Sequence, residues 1–456
     1  MNWIGKLIFI LICATIVLTT LAYGAVHQPI IAIFYLATTV MMILWVYDGF
    51  STGSVRFSTS QLQIPIAATV LFGLIQIIPF GTLSDQAIVD AIPRTISLDP
   101  FSTMVSALHL LALSIFFSLT LVFVDSASRL RKIVIVITGF GFVYAFFAIL
   151  QSVLSPDRIY GIYERAFAEP FGSFVNRHNF AAYMEMTIGL PLGLLFVGGV
   201  HRDKRLLYFT AVAIMAIALL LSGSRGGLIA LLSQIAILTF YLTRSIGWRN
   251  IALRAALGML LIGAVVGGTL YIGDESSVTR MADSATRSQD ITSNRTEIWN
   301  TSMKVISANL PMGAGLGAFG VAYTPFDGHS GLERVEQAHN DYLQVVADAG
   351  VIGIILGGAF LFLLVRTTLQ NLKTENIYRR GIVLGAFAGC FAVLVHSLFD
   401  FVLHTTAVAL LFLTLTALIV VAGKRFADDP EGTYSERKRK RRSASVTSIS
   451  ERRREV

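Results

Sequence analysis

Apolar runs long enough to cross a lipid bilayer recur along this chain with almost no charge inside them, and that feature removes most folds from consideration. In hydrocarbon every backbone amide and carbonyl must find its partner within the protein, so only helices and closed barrels span it. Barrel strands alternate apolar and polar residues over short segments. The runs here are unbroken, so they read as helices: 4–23, 28–47, 62–79, 101–124, 133–154, 180–200, 206–221, 226–242, 251–272, 342–365, 381–399 and 405–422. The expected fold is therefore all-α, a polytopic membrane protein with about 12 transmembrane helices. Composition agrees, since 54% of residues are hydrophobic and 14% charged, where soluble chains carry about 25% charged residues. The run 4–23 is too long for the core of a signal peptide and a second follows almost at once, so it is expected to be a retained helix. Cys13 and Cys390 both fall within apolar runs and cannot make an exposed disulfide framework.

Charge sets the expected topology. The connections bearing Lys6, Arg56, Arg129–Lys132, Arg202–Arg205, Arg244–Arg254 and Arg366–Arg380 alternate to one side together with the C-terminal tail, and they hold most of the 36 lysines and arginines. Basic loops stay inside, so both termini are expected in the cytoplasm. Two long segments then face outward, 155–179 and 273–340. In the second, Asn294 and Glu297 have capping-box spacing, and Ile298, Trp299, Val305 and Ile306 form one apolar stripe. A short amphipathic helix at the membrane surface is expected there, stopped by Pro311 and followed by a turn containing Gly313, Gly315 and Gly317. The chain thus divides into a membrane domain, 1–423, and a basic tail, 424–456, expected to be a disordered cytoplasmic anchor with weak attraction to anionic membrane lipids. No nucleic-acid partner is expected, because the basic residues lack a folded module or interleaved aromatics.

Ionisable groups in membrane helices are expensive and mark functional sites. Glu185, Asp348, His396 and Asp400 share one depth, near the outer surface, and Asp341, Gln344 and Asp348 share one arc of a helix. Together they suggest a polar cavity; the alternative is that each bonds a neighbouring helix and specifies packing. His109 lacks polar companions at helical spacing and reads as structural. The tract Ser222-Gly223-Ser224-Arg225-Gly226-Gly227 joins two apolar runs with almost no loop. Arg225 then opens a helix, where free amides and the helix dipole already favour an anion, and its guanidinium suits a diphosphate or carboxylate. The competing reading is an arginine snorkelling to the interface. His339 opens another helix and can act as a base near neutral pH, though taken alone it could equally be a capping or loop histidine. His396, Asp400 and His404 recur every fourth residue, but a turn near Asp400 spoils the spacing, so no metal is expected. Walker and dinucleotide motifs are absent, and no cofactor is expected.

Four tracts in order resemble the O-antigen ligase and O-antigen polymerase superfamily: Phe174-Val175-Asn176-Arg177-His178-Asn179-Phe180-Ala181; Ser222 to Gly227; Asn294-Arg295-Thr296-Glu297-Ile298-Trp299 continuing to Leu310-Pro311-Met312-Gly313-Ala314-Gly315; and Ala338 to Tyr342. The resemblance implies a metal-independent glycosyltransferase of the bacterial inner membrane in lipopolysaccharide or polysaccharide biosynthesis. It would move a glycan from undecaprenyl diphosphate to an acceptor hydroxyl, on lipid A core or another surface glycan, on the periplasmic face. Carried onto this sequence, Arg225 and Arg295 would hold the diphosphate and His339 would activate the acceptor. Arg177, Asn179, Glu185, Asp341 and Asp348 are secondary candidates. A polymerase of the same superfamily stays open, as does a non-enzymatic transporter of the lipid-linked glycan. A transporter would show internal repeats and paired broken helices near the midplane, and no repeat is visible.

Overall fold

The computed structural model describes residues 3–83, 92–155, 158–164, 169–243, 252, 293–328 and 334–426. Within them the chain is helical: α1 (Trp3–Leu21), α2 (Gln28–Thr52), α3 (Gln63–Gln76), α4 (Pro100–Phe123), α5 (Ala127–Leu154), α6 (Arg177–Phe196), α7 (Arg205–Leu221), α8 (Arg225–Thr243), α9 (Ser293–Asn309), α10 (Phe319–Tyr323), α11 (Asp341–Asn371), α12 (Ile377–His396) and α13 (Thr406–Ala422). Two antiparallel ladders of two residues interrupt this, β1 (Thr82–Leu83) with β2 (Ile92–Pro93) and β3 (Arg158–Ile159) with β4 (Tyr163–Glu164). The protein is an integral membrane protein. Among the described residues, 7 helices are long and apolar enough to cross a membrane, and α3, α8 and α13 are apolar but shorter. The predicted span 251–272 apart from residue 252, the stretches 273–292 and 329–333 of the following outer segment, and nearly all of the basic tail lie outside the described residues.

The bundle is built around α6, α12 and α13. Every residue of α6 from Asn179 to Leu194 is buried, including Glu185 and Thr187, so this helix meets protein and not lipid on all sides. Its deepest neighbour is α12, and small residues set their approach. A Cβ on Gly385 would lie 2.4 Å from the Gly189 carbonyl oxygen, and one on Gly193 would lie 2.4 Å from the Gly385 Cα. Glycines four residues apart on both helices (189 and 193; 381, 385 and 389) therefore form one backbone-to-backbone seam. Within lipid such close van der Waals packing is a main source of helix association. At the end of the bundle away from the candidate site, Arg56 bridges buried Asp48 at 2.7 Å and Asp125 at 3.2 Å, and Arg129 pairs with Asp125 at 2.9 Å.

A second joint fixes the outer segment. Helix α11 breaks at Gly350, which has φ 56° and ψ −141°. The turn after α9 fills the break: Val351 N–H donates to the Pro311 carbonyl, Ala314 N–H to Ala347 and Gly315 N–H to Asp348. Buried Gln76, at the end of α3, donates to the carbonyls of Met312 and Asp348 and accepts from Leu316 N–H. Irregular backbone is tolerated at membrane depth where protein supplies its partners in this way. Half of the α9 apolar stripe is covered by protein. Val305 and Ile306 are buried against Phe319, Tyr323 and Ala347. His109 likewise has a polar companion from another helix, the Tyr35 hydroxyl at 3.0 Å.

Replacing Gly385 by Val should loosen the α6–α12 seam and cost about 1–3 kcal/mol, the usual penalty of overpacking. Gly358→Val, where a Cβ meets nothing within 4 Å, is the control. Thermal unfolding of the purified proteins in detergent should show a lower midpoint for the first variant only.

Candidate active site

The site forms where the starts of α6, α8, α11 and α13 meet the ends of α7 and α12. Asn176 caps α6, its side chain accepting from His178 N–H at 2.8 Å, which sets the orientation of the tract that follows. Arg177 pairs with Glu169, and Asn179 is buried in the first turn. At α8, Ser224 accepts from Gly227 N–H at 3.2 Å while its hydroxyl also meets His178 Nδ1 at 2.9 Å. The first turn of α8 can press this close only because Gly226 and Gly227 carry no side chain. A Cβ on Gly226 would lie 2.7 Å from His396 Nε2, and one on Gly227 would lie 2.7 Å from Ala181 Cβ.

Asp400, in the connection between α12 and α13, is the centre of the cluster. Its carboxylate lies 3.3 Å from Arg295 Nη2, 3.4 Å from His339 Nδ1 and 3.9 Å from His178 Nδ1. Arg295 also donates to the Phe399 carbonyl at 2.6 Å. Burial alone would push the Asp400 carboxyl up, but the approach of His339 and the charges of His178 and Arg295 outweigh it and hold it well below the usual carboxylate range. Its three neighbours therefore favour the ionised carboxylate.

His339 sits in a left-handed conformation, φ 49°, immediately before Asn340 caps α11 by accepting from Tyr342 and Leu343 N–H. Its ring packs edge-on against Phe401 with centroids 4.8 Å apart. Its Nδ1 approaches Asp400 without forming an aligned hydrogen bond. Asp341 faces another way: it accepts from Ser397 at 2.7 Å and lies 2.9 Å from His404 Nδ1. Arg225 differs from every other cation here. It makes no hydrogen bond or ion pair among the described residues, and its Nη2 is buried without a partner. Arg177 is balanced by Glu169 and Asp400 answers Arg295, so among the described residues the charge of Arg225 is uncompensated.

The polar groups expected to line one cavity fall into separate knots. Asp348 accepts from Gly317 N–H at 3.0 Å and Gln344 at 3.2 Å, which makes it part of the joint that positions the outer segment. Glu185 and His396 form a fully buried pair at 3.2 Å beneath His178, whose ring lies edge-on to His396 at 6.4 Å. His396 Nε2 and Glu185 Oε1 have no partner among the described residues.

Residues 210–357 match the O-antigen ligase family model. No curated protein matches the chain. The O-antigen ligase match contains Arg225, Arg295, His339, Asp341 and Asp348. It leaves out Arg177, His178, Glu185, His396 and Asp400, so half the cluster comes from helices beyond it. Two residues central to the geometry were not singled out as site residues from sequence, His178 and Asp400. His178 stood inside a quoted tract between two candidates, and Asp400 shared the depth of the other intramembrane charges.

Removing the central charge tests the electrostatics. Asp400→Asn should lower stability by about 1–3 kcal/mol at pH 7 by leaving Arg295 without its counter-charge. A carboxylate with a depressed folded pKa stabilises above its unfolded value and loses that contribution as pH falls through the folded one. The gap between wild type and variant in thermal midpoint should be full at pH 7 and close only below roughly pH 4.

Proposed function

We propose that this protein is an O-antigen ligase-like glycosyltransferase, moving a glycan from undecaprenyl diphosphate to an acceptor hydroxyl on the extracytoplasmic face. The observation that carries the reading is Arg225 at a helix start, half-buried, with its Nη2 shielded from solvent and without a partner among the described residues. Free amides at a helix N-terminus and an arginine fork both suit a diphosphate. Arg295 is linked to it through Ser224, His178 and Asp400, and adds a second cation.

In this scheme Arg225 and Arg295 hold the diphosphate and stabilise the charge that grows as it leaves. The acceptor oxygen attacks the anomeric carbon, the bond from that carbon to the diphosphate oxygen breaks, and the hydroxyl proton passes to His339. Asp400 faces His339 Nδ1 at 3.4 Å. The diphosphate leaving group supplies the driving force. A single well-aimed donor is worth on the order of 10²–10³ in rate, and a general base about 10²–10⁴. The match to the O-antigen ligase family over 210–357 supports the reaction class.

Transfer by purified protein given lipid-linked donor and acceptor tests this. Arg225→Ala and Arg295→Ala should bind donor poorly, and Arg225→Lys should fail substantially because an ammonium lacks the bidentate fork. His339→Ala should still bind donor yet transfer about 10²–10⁴ more slowly. Wild-type rates from Arg225→Ala would sink the reading, and a wild-type protein without transferase activity would favour a transporter. In cells lacking the protein, accumulation of unattached lipid-linked polymer is expected; single-repeat products would mark a polymerase.

A further inference from the structure

Among the described residues, four that are not glycine have positive φ: His339 of the candidate site, Tyr23, Ala25 and Tyr160. Left-handed backbone is unfavourable for such residues and tends to persist where function holds it. The last three lie together at the same end of the bundle as the site, where the α1–α2 turn meets the β3–β4 hairpin. The Tyr23 ring centroid is 5.3 Å from His27, 6.0 Å from Tyr160 and 5.0 Å from Tyr163, and His27 lies 5.5 Å from Tyr163. Tyr160 is pinned twice, its hydroxyl donating to the Leu21 carbonyl and its N–H to Gln151, which also donates to Gly172.

This cluster is not a packed core. None of its four rings is fully buried, and Tyr160 is 38% exposed. Outside Tyr160 its side-chain polar atoms are unspent among the described residues. The Tyr23 and Tyr163 hydroxyls bond nothing among the described residues, and His27 Nε2 is shielded from solvent yet has no partner. Aromatic rings in a membrane belt sit at the headgroup level. Here four come from two separate loops and face one another, with donors and acceptors left at the rim. A pyranose ring offers the matching surface, an apolar face of C–H groups bordered by hydroxyls.

The cluster is continuous with the candidate site on the His339 side. A Cβ at Gly24 would lie 2.6 Å from the Phe174 ring and 3.2 Å from Thr405, and Thr406 donates to the Ala25 carbonyl at 2.8 Å. Thr405 follows His404, whose ring lies 6.3 Å from Phe401, the residue packed on His339. In the proposed scheme His339 is the residue that activates the acceptor hydroxyl.

We propose that Tyr23, His27, Tyr160 and Tyr163 form a sugar-stacking subsite for the acceptor glycan. Its assignment to the acceptor rests on the proposed transferase function; the binding of a sugar ring there does not. The test uses the full-length protein in nanodiscs and, as probe, the free oligosaccharide released by mild acid from the cell's own surface glycolipid. Saturation-transfer NMR should show contact to the sugar ring protons in wild type. The signal should weaken about tenfold in Tyr163→Ala and persist in Tyr163→Phe, which keeps the ring. His27→Ala is a second variant, expected to weaken binding should Tyr163→Ala fail to fold. In the transfer assay Tyr163→Ala should raise acceptor KM about tenfold with kcat and donor KM near wild type. Absence of binding by wild type, or binding unchanged in both the Tyr163→Ala and His27→Ala variants, overturns the subsite, as does a rise in donor KM alone. Sugar binding that depends on Tyr163 in a protein without transferase activity would keep the subsite and remove the proposed function.

Discussion

Direct backbone contact between α6 and α12 is the constraint on which the rest of this structure depends. Lipid tails are as apolar as leucine, so burial of apolar area gives two membrane helices little reason to associate. Glycines 189, 193, 381, 385 and 389 supply another reason, an approach so close that any Cβ would collide with the opposite backbone. Because α6 is thereby surrounded by protein, it can carry Glu185 and Asn179 where a lipid-facing helix could not. The same contact brings the start of α6 beside the end of α12, and so brings His178 to Asp400.

The site is an electrostatic arrangement before it is anything else. One carboxylate is shared among Arg295, His178 and His339, and Arg225 keeps a buried guanidinium nitrogen that has no partner among the described residues. Burying a polar cation group without a partner costs free energy, so a position that holds one is suited to an incoming anion. Asp348 and Gln344 stand a step back from this chemistry. They and Gln76 stitch the glycine turn into the break of α11, which fixes α9 with Arg295 and the approach to α11 with His339 in one frame.

Much of the helical plan was legible because lipid makes severe demands on sequence. Apart from the span outside the described residues, each predicted span coincides with a helix, and the capping-box reading near Asn294 falls on the helix Ser293–Asn309. Arg225 was legible for a local reason, since small residues flank it at a helix start. Asp400 and His178 were not, because their meeting depends on α6 lying against α12, a tertiary fact. The glycine spacing on both helices was nevertheless visible in the sequence and would have pointed to that contact. The partner of the α9 stripe was not legible, because an apolar stripe says that a face is covered but not what covers it; here Val305 and Ile306 pack on α10 and α11.

The central claim is that Arg225 and Arg295 recognise a diphosphate. Native mass spectrometry of the purified protein with polyprenyl diphosphate and polyprenyl monophosphate of equal chain length measures that recognition without any transfer step. The diphosphate should bind at least about tenfold more tightly, since it can engage both guanidinium forks. Equal affinity for the two lipids would mean that the protein reads the polyprenyl chain alone, and would contradict the account.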